Sequence, residues 1–449
     1  MRPPEEPGLG AEAPGAGSTP RPSFAAGSRR ALAVLSVHAS PLGELGTGEN
    51  GGMNLSIRRL CEGLAARGIP SDVFVRRDDP DAPAEELISS GSRLVRLEAG
   101  PARPLPKEQI LGQLPQFTTA LLAHAISEGR EYRLVHSHYW LSGWVASRAV
   151  QRWSVPWVHS FHTLSRTKAA AGLPADPVRA EVEAVLAQKA DRLVAGSSAE
   201  AHDLERLYGI APDKVCVVPL GVDVDDFAPR AVSAVRQRLG LRGKRVVLYV
   251  GRLERLKGAD TLLETVAELA TRPGFDDVHT LLVGADSGDG QRQSGHPGGE
   301  RGRLEALAAS LGVSQRVTFL GALPHADLAD LYSLADVCVV PSRAETFGLV
   351  ALEAQASGTP VVAAAVGGLL DIVEDGVTGF LVRGREPRDF AGRIARILDS
   401  TATRLGLGDA ARERAAQFTW TRSVDRLQLL YDCVEDPEPA HALESCGCL

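Results

Sequence analysis

The sequence predicts an α/β protein made of two doubly wound, Rossmann-like domains facing a central cleft. Three observations lead there. The chain has 449 residues, enough for two or three domains that each bury a core of their own. Near-continuous aliphatic runs alternate with amphipathic stretches, the pattern of a parallel sheet covered by helices on both faces. That alternation runs through one series, pauses at a turn-rich stretch and restarts, which implies two such domains.

The first series reads as strands at ALAVLSV (31–37), SDVFV (71–75), RLVRLEA (93–99), LVHSH (134–138), PWVHSF (156–161), RLVAGS (192–197) and VCVVPLG (215–221). Helical patterns lie between them. In GGMNLSIRRLCEGLAARG, Leu55, Leu60 and Leu64 recur at near-helical spacing. The second series reads as VVLYVG (246–251), HTLLVGA (279–285), VTFLG (317–321), VCVVPS (337–342), PVVAAAV (360–366) and GFLV (379–382). The turn residues of PLGVDVDDFAPR (219–230) join the two. Residues 1–30, rich in Pro, Gly and Ala, are expected to be a disordered tail. The first domain is placed at 31–224 and the second at 225–418. A last helix near 419–434 is expected to pack back on the first domain, with 435–449 as a second tail. GADSGDGQRQSGHPGGERG (284–302) reads as a long mobile loop.

Composition narrows the function classes. Hydrophobic residues make up 44% and charged residues 23%, which excludes a wholly disordered, collagen-like or coiled-coil chain. The net charge of −7 argues against non-specific nucleic-acid binding while leaving room for a local basic pocket. No apolar run approaches the ~18–20 residues that span a bilayer, and the N-terminus lacks the apolar stretch of a secretory signal. Cys61, Cys216, Cys338 and Cys433 are scattered, mostly in apolar runs, and read as small buried hydrophobes in a reducing compartment; Cys446 and Cys448 end the chain in ESCGCL. The expectation is a cytoplasmic protein with no metal site.

In open parallel sheets, ligands bind beyond the carboxyl ends of the strands. The chemistry-bearing residues concentrate there. After the first strand, HASPLGELGTGENGGMN brings Gly51 and Gly52 to a helix start, where backbone N–H groups can approach an anion or sugar. The dinucleotide spacing GxGxxG is absent, which counts against an oxidoreductase. HSHYW (136–140) and HSFHT (159–163) place four histidines on neighbouring strands. Alternation puts His136 and His138 on one face, but no carboxylate or cysteine beside them completes a metal set. His162 and Thr163 lie latest, at a strand end. In VGRLERLKG (250–258), Arg252 and Lys257 follow a strand, a fork and a point charge suited to a diphosphate. PSRAETFGLVALEAQASGTPVV (341–362) is the sharpest segment. Glu345 lies in a loop, a helix begins near Gly348, and Glu353 sits inside it among small apolar residues, giving E-x7-E spacing. A helix start can take phosphate, and carboxylates accept bonds from sugar hydroxyls. A buried Glu353 without a ligand would be costly.

ETFGLVALEAQASGTPVVAAAVGG, VGRLERLKG, HSHYWLSGW and GTGENGGMN together resemble a family-four retaining glycosyltransferase of the GT-B fold, over about residues 31–420. Within that family the chain is most similar to the branch that transfers N-acetylglucosamine to D-inositol 3-phosphate in mycothiol biosynthesis; sucrose-phosphate synthase is the nearer of the other relatives. The resemblance implies that Arg252 and Lys257 neutralise the diphosphate of a UDP-sugar. It implies that Glu353 binds the ribose, Glu345 the donor sugar, and His162 the sugar near the reacting carbon. Gly51, Gly52, Gly348, Leu349 and Val350 would complete the donor site. Lys107, Tyr139, Thr163 and Arg179 would hold the acceptor phosphate, with Asn54 near the acceptor ring. The chain departs from the family at Ser165-Arg166, in its long 284–302 loop and in both tails.

The reaction expected on this basis is retaining transfer without an essential metal or cofactor, the UDP-sugar being a substrate. Arg252, Lys257 and the helix start at Gly348 would stabilise the leaving diphosphate, and attack would come from the front face. Glu345 as a covalent nucleophile is the mechanistic rival. Asp223-Val-Asp225 reads as part of a turn. Transfer of glucose to fructose 6-phosphate, another acceptor, and non-catalytic binding of a sugar nucleotide are the alternative functions. The partners expected are the donor and a phosphorylated polyol or sugar, with no nucleic acid and no membrane span, and a homodimer is left open.

Overall fold

The computed structural model describes residues 31–43, 51–286 and 295–436. Residues 1–30 and 437–449, the 44–50 part of the glycine-rich segment and 287–294 of the 284–302 loop therefore lie outside the described residues. Two sheets organise the chain. The first runs β3-β4-β2-β1-β5-β6-β7-β8. Its strands are β1 (Ala31–Leu35), β2 (Ser71–Arg76), β3 (Glu85–Ser89), β4 (Ser92–Leu97), β5 (Tyr132–His138), β6 (Trp157–Ser160), β7 (Arg192–Ala195) and β8 (Val215–Val217). The second runs β11-β10-β9-β12-β13-β14, with β9 (Arg245–Val250), β10 (Val278–Val283), β11 (Val317–Gly321), β12 (Val337–Val340), β13 (Val361–Ala364) and β14 (Gly379–Val382). Every pairing is parallel except β3–β4. The two-domain doubly wound class expected from the sequence is the architecture found.

Alternation of side chains sorts each strand between two cores. On β2, Val73 joins Leu134, Val158 and Cys216 on one face of the first sheet, while Phe74 joins Phe117, Trp157 and Phe161 on the other. The second sheet is lined likewise: Val247, Leu282 and Phe390 on one face, Val246, Leu281 and Tyr332 on the other. The helix Trp420–Glu435 crosses back. Its Val424, Leu427, Leu430 and Tyr431 are buried in the first domain's core, and Val222 N donates to Phe418 O, so the two crossings between domains run side by side. Asp223 lies in a turn, its carbonyl accepting from Phe227 N.

Three local readings need correction. β3, EELIS, was not legible as a strand; it is a charged edge strand with Leu87 exposed, so it lacks the apolar run that marks the others. The 284–302 segment is not loop throughout: a helix starts at Gly299, its first amides held by the Asp286 carboxylate (3.0 and 2.9 Å). Cys61 and Cys338 are buried free thiols and Cys433 is partly buried, but Cys216 is disulfide-bonded.

Candidate active site

The carboxyl ends of both sheets open onto one cleft of about 340 Å³, lined from both domains. That volume falls in the range of small-molecule sites. All the residues that the family resemblance assigns to the substrates line it except Asn54 and Arg179.

On the second-domain wall, Lys257 Nζ bonds both oxygens of Glu345 (2.8 and 3.1 Å), and Ser342 Oγ donates to Glu345 Oε2 (3.0 Å). Arg252 Nη2 stands 3.0 Å from Glu254 Oε1. The loop that carries Glu345 is held from beneath by Val366-Gly367-Gly368. Gly367 has φ 53°, and a Cβ there would fall 1.7 Å from Glu345 O. Gly348 (φ 107°) turns the chain into the helix Leu349–Ala356, and a Cβ on it would meet Leu369 Cδ2 at 2.8 Å. Only glycine fits either place. The result is a helix N-terminus opening into the cleft beside two cations, an anion-binding arrangement. Across the gap lies the start of the helix Gly52–Ala66; a Cβ on Gly52 would come 3.0 Å from Leu349 Cδ1.

Glu353 corrects one expectation. Its burial, 5% exposed, is compensated without a ligand: Tyr332 O–H donates to one oxygen (2.8 Å) and His325 Nε2 meets the other (2.7 Å). Burial disfavours the charged His325 ring, but the Glu353 carboxylate outweighs it and raises the His325 pKa. Neither partner carries a sequence signal; His325 opens a helix and Tyr332 fills a core.

On the first-domain wall, Tyr139 and His162 follow β5 and β6 in left-handed backbone, φ 72° and 61°. Among the described residues only Ser154 shares that conformation without being glycine. Arg179 draws Tyr139 and Thr163 together: Nη1 donates to Tyr139 Oη (3.1 Å), Nη2 to Thr163 O and Oγ1 (2.5 and 2.9 Å), and Nε to Glu183 Oε1 (2.6 Å). The guanidinium lies behind Tyr139 and Thr163 instead of lining the cleft, because Glu183 anchors it in the core. Lys107 Nζ stands 5.6 Å over the Tyr139 ring. Asn54 also departs from expectation. It is fully buried, donates to Ser40 O (2.6 Å) and accepts from Gly51 N (3.2 Å), so it shapes the glycine turn from behind.

The histidines form a column. His136 Nδ1 meets Tyr431 Oη (2.6 Å) and its Nε2 meets Ser160 Oγ (2.9 Å); its ring lies 4.2 Å from that of His138, whose Nδ1 meets His162 Nε2 (2.9 Å). Burial pushes His162 down to about 4 and holds His136 and His138 well below the usual range. Among the described residues no His, Cys, Asp or Glu group has a metal-holding arrangement.

Sequence reasoning missed two cleft features. Glu200, 7% exposed, accepts from Gly196 N with Oε2 (2.7 Å), while Oε1 is buried with no hydrogen-bond partner among the described residues. Thr346 ties the domains: its Oγ1 donates to His162 O (2.6 Å), and its carbonyl accepts from Ser197 Oγ (2.7 Å). The first is an ordinary helix glutamate in sequence, and the second depends on a partner 184 positions away.

Comparison with known proteins follows this geometry. Residues 50–226 match the family model Glycosyltransferase Family 4, and residues 233–414 match Glycosyl transferases group 1. A D-inositol 3-phosphate glycosyltransferase of Geodermatophilus obscurus is 46% identical over 410 residues, covering 90% of this chain and 89% of that one. The D-inositol 3-phosphate glycosyltransferase 2 of Catenulispora acidiphila is 42% identical over 427 residues, covering 93% and 98%. The solved sucrose-phosphate synthase of Thermosynechococcus elongatus superposes with a TM-score of 0.81 at 37% identity, over 90% of this chain and 98% of that one. Anabaena HepE, solved with UDP and glucose, superposes with a TM-score of 0.73 at 23% identity, covering 90% and 99%. The chain belongs to the family-four glycosyltransferases and is a sugar-transferring enzyme of the GT-B fold.

Proposed function

We propose that the enzyme moves N-acetylglucosamine from a UDP-sugar to D-inositol 3-phosphate, with retention at the anomeric carbon, and that it acts in the cytoplasm. The observation that carries the acceptor is the Arg179 cluster. A guanidinium behind two hydroxyl-bearing side chains, with Lys107 over the same tyrosine, suits a phosphate and has no use for a neutral acceptor. The names of the relatives support the same acceptor, and the UDP held by HepE supports the donor. Both substrates are charged and do not cross a bilayer unaided, which supports the location.

The chemistry follows from the cleft. As the glycosidic bond to the diphosphate stretches, positive charge grows on the sugar and negative charge on the departing phosphate. Arg252, Lys257 and the amides at the start of Leu349–Ala356 meet that negative charge, so no step calls for a metal or cofactor. Lys257 exchanges its hold on Glu345 for a share in the phosphate, leaving the carboxylate for sugar hydroxyls. Glu345 is a poor nucleophile because Ser342 and the sugar hydroxyls hydrogen-bond it. Front-face attack, with the departing phosphate oxygen taking the acceptor proton, therefore fits better than a covalent intermediate.

A second reading, glucose transfer to fructose 6-phosphate, draws on the likeness to sucrose-phosphate synthase. Mass spectrometry of products from UDP-N-acetylglucosamine and UDP-glucose, each offered inositol 3-phosphate and fructose 6-phosphate, decides. The expected product is the N-acetylglucosaminyl inositol phosphate. Preference for fructose 6-phosphate would replace this proposal with the second.

A further inference from the structure

We propose that His138 is a positioning residue that fixes the orientation and proton placement of the His162 ring, and that Thr346 completes this grip from the opposite domain. The inference rests on the reading that His162 faces the donor sugar.

His138 ends β5, and its register partner on β6 is Ser160. Two residues beyond Ser160 the chain reaches His162, turned inward by its left-handed backbone. The two rings share one hydrogen bond, His138 Nδ1 to His162 Nε2. Burial keeps both rings neutral, so only one of these nitrogens carries the proton. Whichever does, the other ring must be the complementary tautomer, and the remaining nitrogen of His162 then has a fixed role as donor or acceptor. His138 cannot turn freely. It stacks on His136, both of whose nitrogens are engaged by Tyr431 and Ser160. The orientation of a cleft residue is thus traced back to the helix that crosses from the second domain.

The main chain of His162 is held separately. Left-handed backbone at a non-glycine residue is strained and persists only where the surroundings over-determine it. Thr346 Oγ1 supplies such a restraint through the His162 carbonyl. Thr346 adjoins Glu345, so the residue beside the sugar-binding carboxylate reaches across to the residue beneath the sugar. The ring is held within the first domain, and the carbonyl only when the domains meet.

The test is steady-state kinetics of His138→Leu, His138→Asn and Thr346→Val, with His162→Ala as control. His138→Leu should lower kcat about 10–100-fold, with both KM values within about threefold of wild type, as for a misplaced reacting group. Asn offers a polar atom near the place of Nδ1 and should recover much of the loss; a core-filling role gives no such rescue. Thr346→Val, in a cleft loop, should lower kcat about 3–10-fold and serves if the His138 variants fail to fold. Unchanged kcat in folded His138→Leu, equal loss in the Leu and Asn variants, or unchanged kcat in Thr346→Val overturns the inference. Unchanged turnover in His162→Ala would instead defeat the reading on which it rests.

Discussion

Lys257 tests the donor side most directly at the level of a single residue. Its ammonium is partly exposed and its only hydrogen bonds among the described residues go to Glu345. A partly exposed ion pair adds little to folding, whereas a preorganised cation facing a leaving diphosphate is worth about 10²–10³ in rate. Lys257→Ala should therefore lose turnover by about that factor while its melting temperature stays close to wild type; full turnover would refute the diphosphate role. Arg179 should behave differently, because it organises Tyr139 and Thr163 and is buried against Glu183. Arg179→Ala should raise the acceptor KM far more than the donor KM, and should also lower stability, since Glu183 is left buried without its partner. Equal rises in both KM values would remove Arg179 from the acceptor site. Lys257 was legible because it sits in a short motif after an aliphatic run, Arg179 only through the family resemblance. His325 and Thr346 were not, because their roles arise from partners far away in sequence, and Glu200 was not, because only the fold buries it; Asn54 and Arg179 were legible as residues but not as supports lying behind the cleft wall.

At the scale of elements, the ends of β5, β6 and β7 carry opposing pH sensitivities. The imidazoles of His136, His138, His159 and His162 are neutral in the fold, with His159 held at about 3 and His162 at about 4 by burial. Their folded pKa values lie below the unfolded 6.5. Their contribution is present above pH 6.5 and is lost as pH falls toward the folded values, since the unfolded chain then binds more protons. Glu200 acts the other way. Burial, set against the Gly196 amide and reinforced by Asp203 and Glu183, pushes it up to about 7 from 4.5. Between those values the fold holds the extra proton, so stability falls as pH rises through that window and stays reduced above it. Glu200→Gln should therefore gain stability relative to wild type at pH 8 and show little gain at pH 4.5, read as paired melting temperatures. An equal difference at both pH values would mean that folding does not raise the Glu200 pKa. The strands themselves were legible from their aliphatic runs, and the shared face of His136 and His138 from alternation alone. The charge states were not, because they depend on how deeply the strand ends are covered by the helix Trp420–Glu435 and by the second domain.

For the whole molecule, the question is what holds two separately cored domains together without a ligand. Few polar contacts do so near the cleft. Besides the Thr346 bonds, Asp371 Oδ2 accepts from Ser198 N (2.7 Å), and Arg385 Nη2 donates to Ala171 O (2.8 Å). The Asp371 contact is an interdomain cap, since Ser198 begins the helix Ser198–Tyr208 and a carboxylate favours such an N-terminus. After screening, a contact of this exposure is worth about 1 kcal/mol, roughly a fivefold change between closed and open populations. Two aliphatic series in the sequence indicate that two sheets exist; they carry no signal for this balance, which rests on single bonds between a helix start and a distant loop. Asp371→Ala should therefore enlarge the ligand-free molecule in small-angle X-ray scattering and leave the UDP-saturated one unchanged. Its KM for both substrates should rise about fivefold while kcat at saturation holds, because bound substrates supply the closure that Asp371 no longer does. A variant with wild-type dimensions and KM values would show that closure is set by the crossing segments at Val222 and Phe418, and that the cleft contacts merely follow it.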